Sequence, residues 1–249
     1  MPYIESVCIA GKTIEIEKYY SSRYKKKGIK RSKNKKPTSE QQKEVNNRKA
    51  EKKLRQLINA NFQGGDFHMV LNYAKENRPD TKDEMRIDLD KFLRDARKEY
   101  KKAGLTLKYI HVPEIGEKGA RHHHLVINNI DINILRKIWD KGRIHCYPLD
   151  DTGQYSELAS YLIKYTEKVM GTDEEIQGRR WNCSRNLIHP ETKKKIISHR
   201  ECYKDKPMER KGYYVDKNSI RSGIHDETGY PYFTYTLIKT EPNGKKGVP

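Results

Sequence analysis

The chain has 249 residues and a formal charge of +18, from 52 lysines and arginines against 34 aspartates and glutamates. Only 34% of it is hydrophobic, which allows a modest core, enough for one elaborated domain or two small ones. Such an excess of positive charge points to a polyanionic partner, nucleic acid before an anionic membrane surface. No apolar run approaches the roughly 20 residues of a spanning helix, and MPYIESVCIAGK lacks the apolar region of a secretory signal. A cytoplasmic protein with no membrane partner is expected.

In chain order, residues 23–37 (RYKKKGIKRSKNKKP) form a basic tract of low hydrophobicity, either a solvated arm or one that orders on phosphates. A helix is expected from Ser39 to about Ala60, with Leu54, Leu57 and Ile58 on one face, docked by its end. After the turn QGGD, FHMVLNY (residues 67–73) suits a largely buried strand. The next segment predicts a strong helix. Thr81 and Glu84 make a capping box, Met85, Leu89, Phe92, Leu93, Ala96 and Tyr100 recur at helical spacing, and Gly104 closes it. LTLKYIHV (105–112) and RHHHLVIN (121–128) are the second and third strands. Asp131 caps a short helix, GRIHCYPL is the fourth strand, and a last helix runs from about Gln154 to Met170. GYPYFTYTLIK, from Gly229, reads as a strand of a small extension.

The order β-α-β-β-α-β predicts an α+β fold of split βαβ, ferredoxin-like type. Its first and third strands lie in the middle of an antiparallel sheet, with the crossover helices on one face and the last helix near the open face. The division expected is residues 1–60 as basic arm and helix, 61–190 as the central domain, and 191–249 as a β-rich extension.

The third strand is the chemically informative one. Strand alternation sends His122 and His124 to one face and His123, Leu125 and Ile127 to the other. Two imidazoles about 7 Å apart can converge on one divalent ion. Glu114, in the connection that returns the chain beside them, is the expected third ligand. Two histidines and one carboxylate leave coordination positions open, which suits catalysis better than structure. Cys183, His189, His199 and Cys202 could in principle hold zinc, but no tight C-x2-C pair anchors them, and they are not counted as a site. The cysteines are expected as free thiols.

In SYLIKYTEK, Tyr161 with Lys164 and Tyr165 with Lys168 share helix faces. A phenol is a poor nucleophile at neutral pH unless a cation or metal lowers the cost of ionisation. Taken alone, these tyrosines could equally be packing residues.

HHHLVIN resembles the histidine-hydrophobe-histidine motif of the HUH endonucleases, with His123 in the middle slot where a hydrophobe is usual, and YLIK resembles their Y-x-x-K motif. FHMVLNY is similar to the first motif of rolling-circle replication initiators. The likeness to initiators of the filamentous-phage, microvirus and plasmid type extends over roughly residues 40 to 190, NNRKAEKKLRQLINANF and RRWNCSRNL included. The resemblance implies nicking of single-stranded or supercoiled origin DNA in a bacterial cell. A divalent ion (Mg2+ or Mn2+) held by Glu114, His122 and His124 would act on the scissile phosphate, with Tyr161 as nucleophile and Lys164 beside it. It further implies a 5′-phosphotyrosyl link, a 3′-hydroxyl that primes synthesis, and joining by the reverse transfer. Tyr165 stands where some initiators carry a second nucleophile. Arg179, Arg180 and Arg185, just past the last helix, are the expected DNA contacts. No P-loop motif occurs, so unwinding is expected from a host helicase. The competing expectations are a relaxase or transposase on the same fold and a non-catalytic single-strand-binding module.

Overall fold

The computed structural model describes residues 1–21, 24–25, 40–116, 120–169, 179–225 and 229–240, with the side chains of Gln41 and of residues 167–169 excepted. Apart from Tyr24 and Lys25, the basic tract 23–37 lies outside the described residues, as does the Lys168 side chain.

In chain order the elements are β1 (Tyr3–Ala10), β2 (Thr13–Tyr20), α1 (Glu40–Asn61), β3 (Phe67–Asn72), α2 (Lys82–Lys102), β4 (Tyr109–Ile115) and β5 (Arg121–Ile127). They continue with α3 (Ile132–Ile138), β6 (Ile144–Pro148), α4 (Ser156–Val169), β7 (Asn182–Cys183), β8 (Thr192–Ile197), β9 (Tyr213–Ile224) and β10 (Pro231–Lys239). The chain divides into two compact units, Met1–Lys43 with His189–Pro249, and Glu44–Ile188.

The larger unit carries the antiparallel sheet β6-β3-β5-β4-β7, so the histidine strand β5 is central and the α+β, split βαβ arrangement is the one observed. Local chemistry explains the crossover helices. The Thr81 hydroxyl accepts from the Glu84 backbone N–H at 3.2 Å and the Glu84 carboxylate accepts from the Thr81 N–H at 3.3 Å, completing the capping box. Past the end of α2, Gly104 takes φ +72°, a left-handed conformation that side chains disfavour. Asp131 caps α3 by accepting from the Asn133 N–H at 2.9 Å. Gly142 leads into β6 where an added Cβ would lie within 3 Å of the Asn72 carbonyl oxygen and the Ala74 nitrogen, so only glycine lets the backbones approach.

The two sheet faces pack differently. Met69, Leu71, Leu125 and Ile127 point toward α2 and α3, among Leu89, Phe92, Leu93, Leu135 and Trp139. Ile110, Val112 and Val126 point the other way, against Leu54 and Ile58 of α1 and Ala159, Leu162 and Ile163 of α4. The sequence reading docks α1 by its end. Instead its apolar face, with the expected Leu54, Leu57 and Ile58, shares a core with α4.

The smaller unit departs most from expectation. Residues 3–20, read as part of a basic arm, are a hairpin turned at Gly11 (φ +57°). The hairpin is two strands of the antiparallel sheet β8-β1-β2-β10-β9. Ile14 and Ile16 of β2 share a core with Phe233, Tyr235 and Leu237 of β10. Thus the N-terminal strands and the C-terminal extension form one sheet, rather than separate segments at residues 1–60 and 191–249. A hairpin with this apolar alternation needs a partner surface to be stable, and β8 and β10 supply it on either side. Among the described residues no helix is long and apolar enough to cross a membrane.

Candidate active site

Register decides which side chains meet. In the antiparallel ladder Val70 faces His124 and Asn72 faces His122 across β3–β5. On the other side Glu114 pairs with His122 and Val112 with His124. On the edge, His145 pairs with Val70 and Tyr147 with His68. Because faces alternate, His68, Glu114, His122, His124, His145 and Tyr147 project to the α4 side of the sheet. There they line a cleft of about 610 Å3 together with Glu157 and Tyr161 of α4.

His124 sits at its floor, 3% exposed. Its Nε2 lies 2.6 Å from Glu114 Oε2 and its Nδ1 3.2 Å from His68 Nε2. Each nitrogen of the His124 ring thus has one hydrogen-bond partner, Glu114 on one side and His68 on the other. Burial, then the neighbouring His124, lowers the His68 pKa to about 4, so His68 is neutral at physiological pH. Burial likewise lowers the pKa of His122, whose buried Nδ1 has no hydrogen-bond partner among the described residues.

Tyr161 is 43% exposed and presents its ring edge-on to His68 and His124, each at 5.8 Å between centroids. Tyr165, one turn on, stacks on His124 at 4.8 Å and meets Tyr161 at 4.7 Å. Its hydroxyl pKa is pushed well up, first by burial and then by the hydrogen bond with Tyr161 and the charge of Glu114. Of the two tyrosines, Tyr161 opens into the cleft and Tyr165 backs His124.

The expected site residues therefore fall into two groups. Glu114, His122, His124 and Tyr161 are brought to one cleft. Lys164 is exposed on α4 and does not line it. Among the described residues no three His, Cys, Asp or Glu side chains are arranged to hold a metal ion. The donor types still fit a divalent cation, since the Glu114 carboxylate and the His122 and His124 imidazoles line the same cleft. The four cysteines are free. His68, His145, Tyr147 and Glu157 were not anticipated.

The arginines also separate. Arg180 donates from Nη1 to the Thr166 hydroxyl at 3.3 Å and from Nη2 to the Asn47 side-chain oxygen, tying α1 to α4. Arg179 joins Lys49, Lys53, Arg180 and Trp181 around a second cavity of about 630 Å3 that no carboxylate lines. Arg185 is exposed and lies outside that lining.

On the opposite face His123 is 1% exposed. Its Nδ1 shares a hydrogen bond with His111 Nε2 at 3.0 Å, and its Nε2 shares one with the Tyr73 hydroxyl at 2.8 Å. Burial lowers the His123 pKa to about 3 and the His111 pKa well below the ordinary value. On acidification the unfolded chain therefore takes up protons near pH 6.5 that the fold refuses until about pH 3, and stability falls across that window. Each such histidine is expected to cost about 2 kcal/mol between about pH 7 and pH 5. Urea denaturation at the two pH values measures it, and equal midpoints would refute it.

A split βαβ sheet with a histidine-carboxylate cleft and a tyrosine on the covering helix defines the class of site. Residues 66–170, which carry the cleft, match the model of the family described as Replication-associated protein ORF2/G2P. This similarity supports a rolling-circle replication initiator. No curated protein and no solved structure matches the chain significantly.

Proposed function

We propose that the protein initiates rolling-circle replication of a phage, plasmid or integrated element by nicking and rejoining one DNA strand through Tyr161. The observation that carries this reading is the presentation of an exposed Tyr161 over Glu114, His122 and His124, inside the residues similar to the replication-associated family. The Tyr161 Oη attacks the scissile phosphorus, and the O–P bond to the 3′ oxygen breaks as the new phosphotyrosine forms. The phenolic proton is given up and the 3′ oxygen takes one, so charge balances. Glu114, His122 and His124 would hold a divalent cation (Mg2+ or Mn2+), which when bound supplies positive charge to the phosphate oxygens. Tyr165 and His68 keep the His124 ring fixed from both sides. Reversal of the transfer rejoins the strand without a nucleotide cofactor. Unwinding falls to a host helicase, and the bacterial cytoplasm is the setting.

The test is product chemistry. A single-stranded oligonucleotide library incubated with the protein and Mn2+ should yield fragments whose 3′ end a polymerase extends and whose 5′ end resists kinase labelling until protease treatment. Fragments with a free 5′ phosphate would contradict the covalent route.

The cavity between α1 and residues 179–183 is the proposed path for the strand beside the cleft. Lys49, Lys53 and Arg179 have no hydrogen bond or ion pair among the described residues, so their charges are available to phosphates. Lys49→Ala with Lys53→Ala should weaken single-strand binding and reduce the slope of log Kobs against log salt by about 1.4. Titrations at several salt concentrations measure this, and an unaltered slope would remove these lysines from the path.

A further inference from the structure

Tyr147 is an aromatic side chain of the cleft to which the transfer chemistry gives no role. Tyr147 lies on β6, the edge strand of the sheet, and is 54% exposed while lining the cleft. One side of its ring is occupied by His68, stacked at 5.8 Å and 27°. His68 in turn stands edge-on to Tyr161 at 5.8 Å. Tyr147, His68 and Tyr161 thus form a continuous aromatic run from the rim to the proposed nucleophile. An exposed aromatic at an arbitrary surface point needs no explanation. One that walls a cleft, rigidly backed by an imidazole and adjoining a phosphate-reactive side chain, is the surface on which single-strand binders stack bases.

We infer that Tyr147 is a base-stacking platform that holds a nucleobase flanking the scissile phosphate, with His68 as its rigid backing. The inference rests on the nicking reading for the position of the phosphate, and its test is a binding measurement that does not require nicking. Stacking is read from the π-face of the base and the chain contributes no sequence readout at that point, so the platform sets the strand's register in the cleft and tolerates any base.

The probes are a short oligothymidylate and the same sugar-phosphate strand without bases. Replacing Tyr147 by Ala should weaken binding of the base-bearing strand about 5- to 150-fold and leave the abasic strand unchanged. Tyr147→Trp should retain wild-type binding, which shows that a lost fold is not the cause in the Ala variant. Unchanged affinity of Tyr147→Ala for oligothymidylate would overturn the inference. Equal weakening for both strands would overturn it as well, since Tyr147 would then act on the backbone or on the fold. Covalent adduct formation by the wild-type protein is scored separately. Its absence with the base-specific loss intact would refute the nicking reading and leave the platform standing; its presence without that loss would do the reverse.

Discussion

Tyr161→Phe is expected to abolish covalent transfer while leaving the strand bound. The substitution removes one oxygen from a side chain that is 43% exposed, so the fold has little to lose. Without the hydroxyl no O–P bond can form, and adduct yield should fall by at least about 10^3-fold. Affinity for single strands should change by less than about tenfold, the worth of a single hydrogen bond. Tyr165→Phe is the contrast. Tyr165 stacks on His124 through its ring, which Phe retains, and burial keeps its phenol protonated. Its loss should reduce transfer only modestly. A denaturing gel of protein with labelled DNA reads both variants, and the opposite pattern would exchange the roles of the two tyrosines.

The second large effect falls on Glu114. Glu114→Gln keeps the size of the side chain and a hydrogen-bonding end to meet His124 Nε2, so the 2.6 Å contact can persist in weaker form. What disappears is the charge, and with it the anionic member of the proposed ligand set. Divalent-ion affinity should fall by about 10- to 100-fold or more. In thermal melts without DNA, Mn2+ at about 100 times its Kd should stabilise the wild-type protein by about 2.7 kcal/mol and the variant far less. The melt reads cation binding alone, apart from any effect on transfer. Equal stabilisation of both proteins would take Glu114 out of the ligand set.

Local signals made much of the larger unit legible. The Thr81–Glu84 box, Gly104 and the Asp131 cap each act within one turn, so the sequence specifies them where they stand. The order of strands and helices then leaves few ways to arrange the sheet, and β5 is central as expected. The hairpin β1–β2 carried its own signal, Gly11-Lys12 between alternating apolar residues. Its place beside β8 and β10 did not, because pairing between opposite ends of a chain leaves no local trace. The packing of α1 along the sheet was hidden for a related reason. Its apolar face is visible in the sequence, but the surface that receives it is assembled from Ile110, Val112 and α4.

The site shows the same division. His122 and His124 could be assigned to one face by alternation alone, and His123 to the other, where it meets Tyr73 and Trp139. The same alternation in β3 separates His68, Val70 and Asn72 from Met69 and Leu71, and marks His68 as a cleft residue. His145 and Tyr147 required the register of the edge strand. Lys164 was placed beside Tyr161 by helical spacing; it is exposed on α4 and is not among the residues that line the cleft. Arg180 was expected to face DNA from its position just past the last helix; its guanidinium is engaged by Asn47 and Thr166 while the residue also lines the second cavity.

The most direct test of transfer through Tyr161 is mass spectrometry of the DNA-linked peptide recovered after protease digestion of wild-type protein treated with a single-stranded library and Mn2+. A nucleotide attached to the tryptic peptide at Tyr161, and absent when EDTA replaces Mn2+, is the expected result. A bound strand with no attached nucleotide on any tyrosine of α4 would contradict it and leave a protein that holds DNA without cutting it.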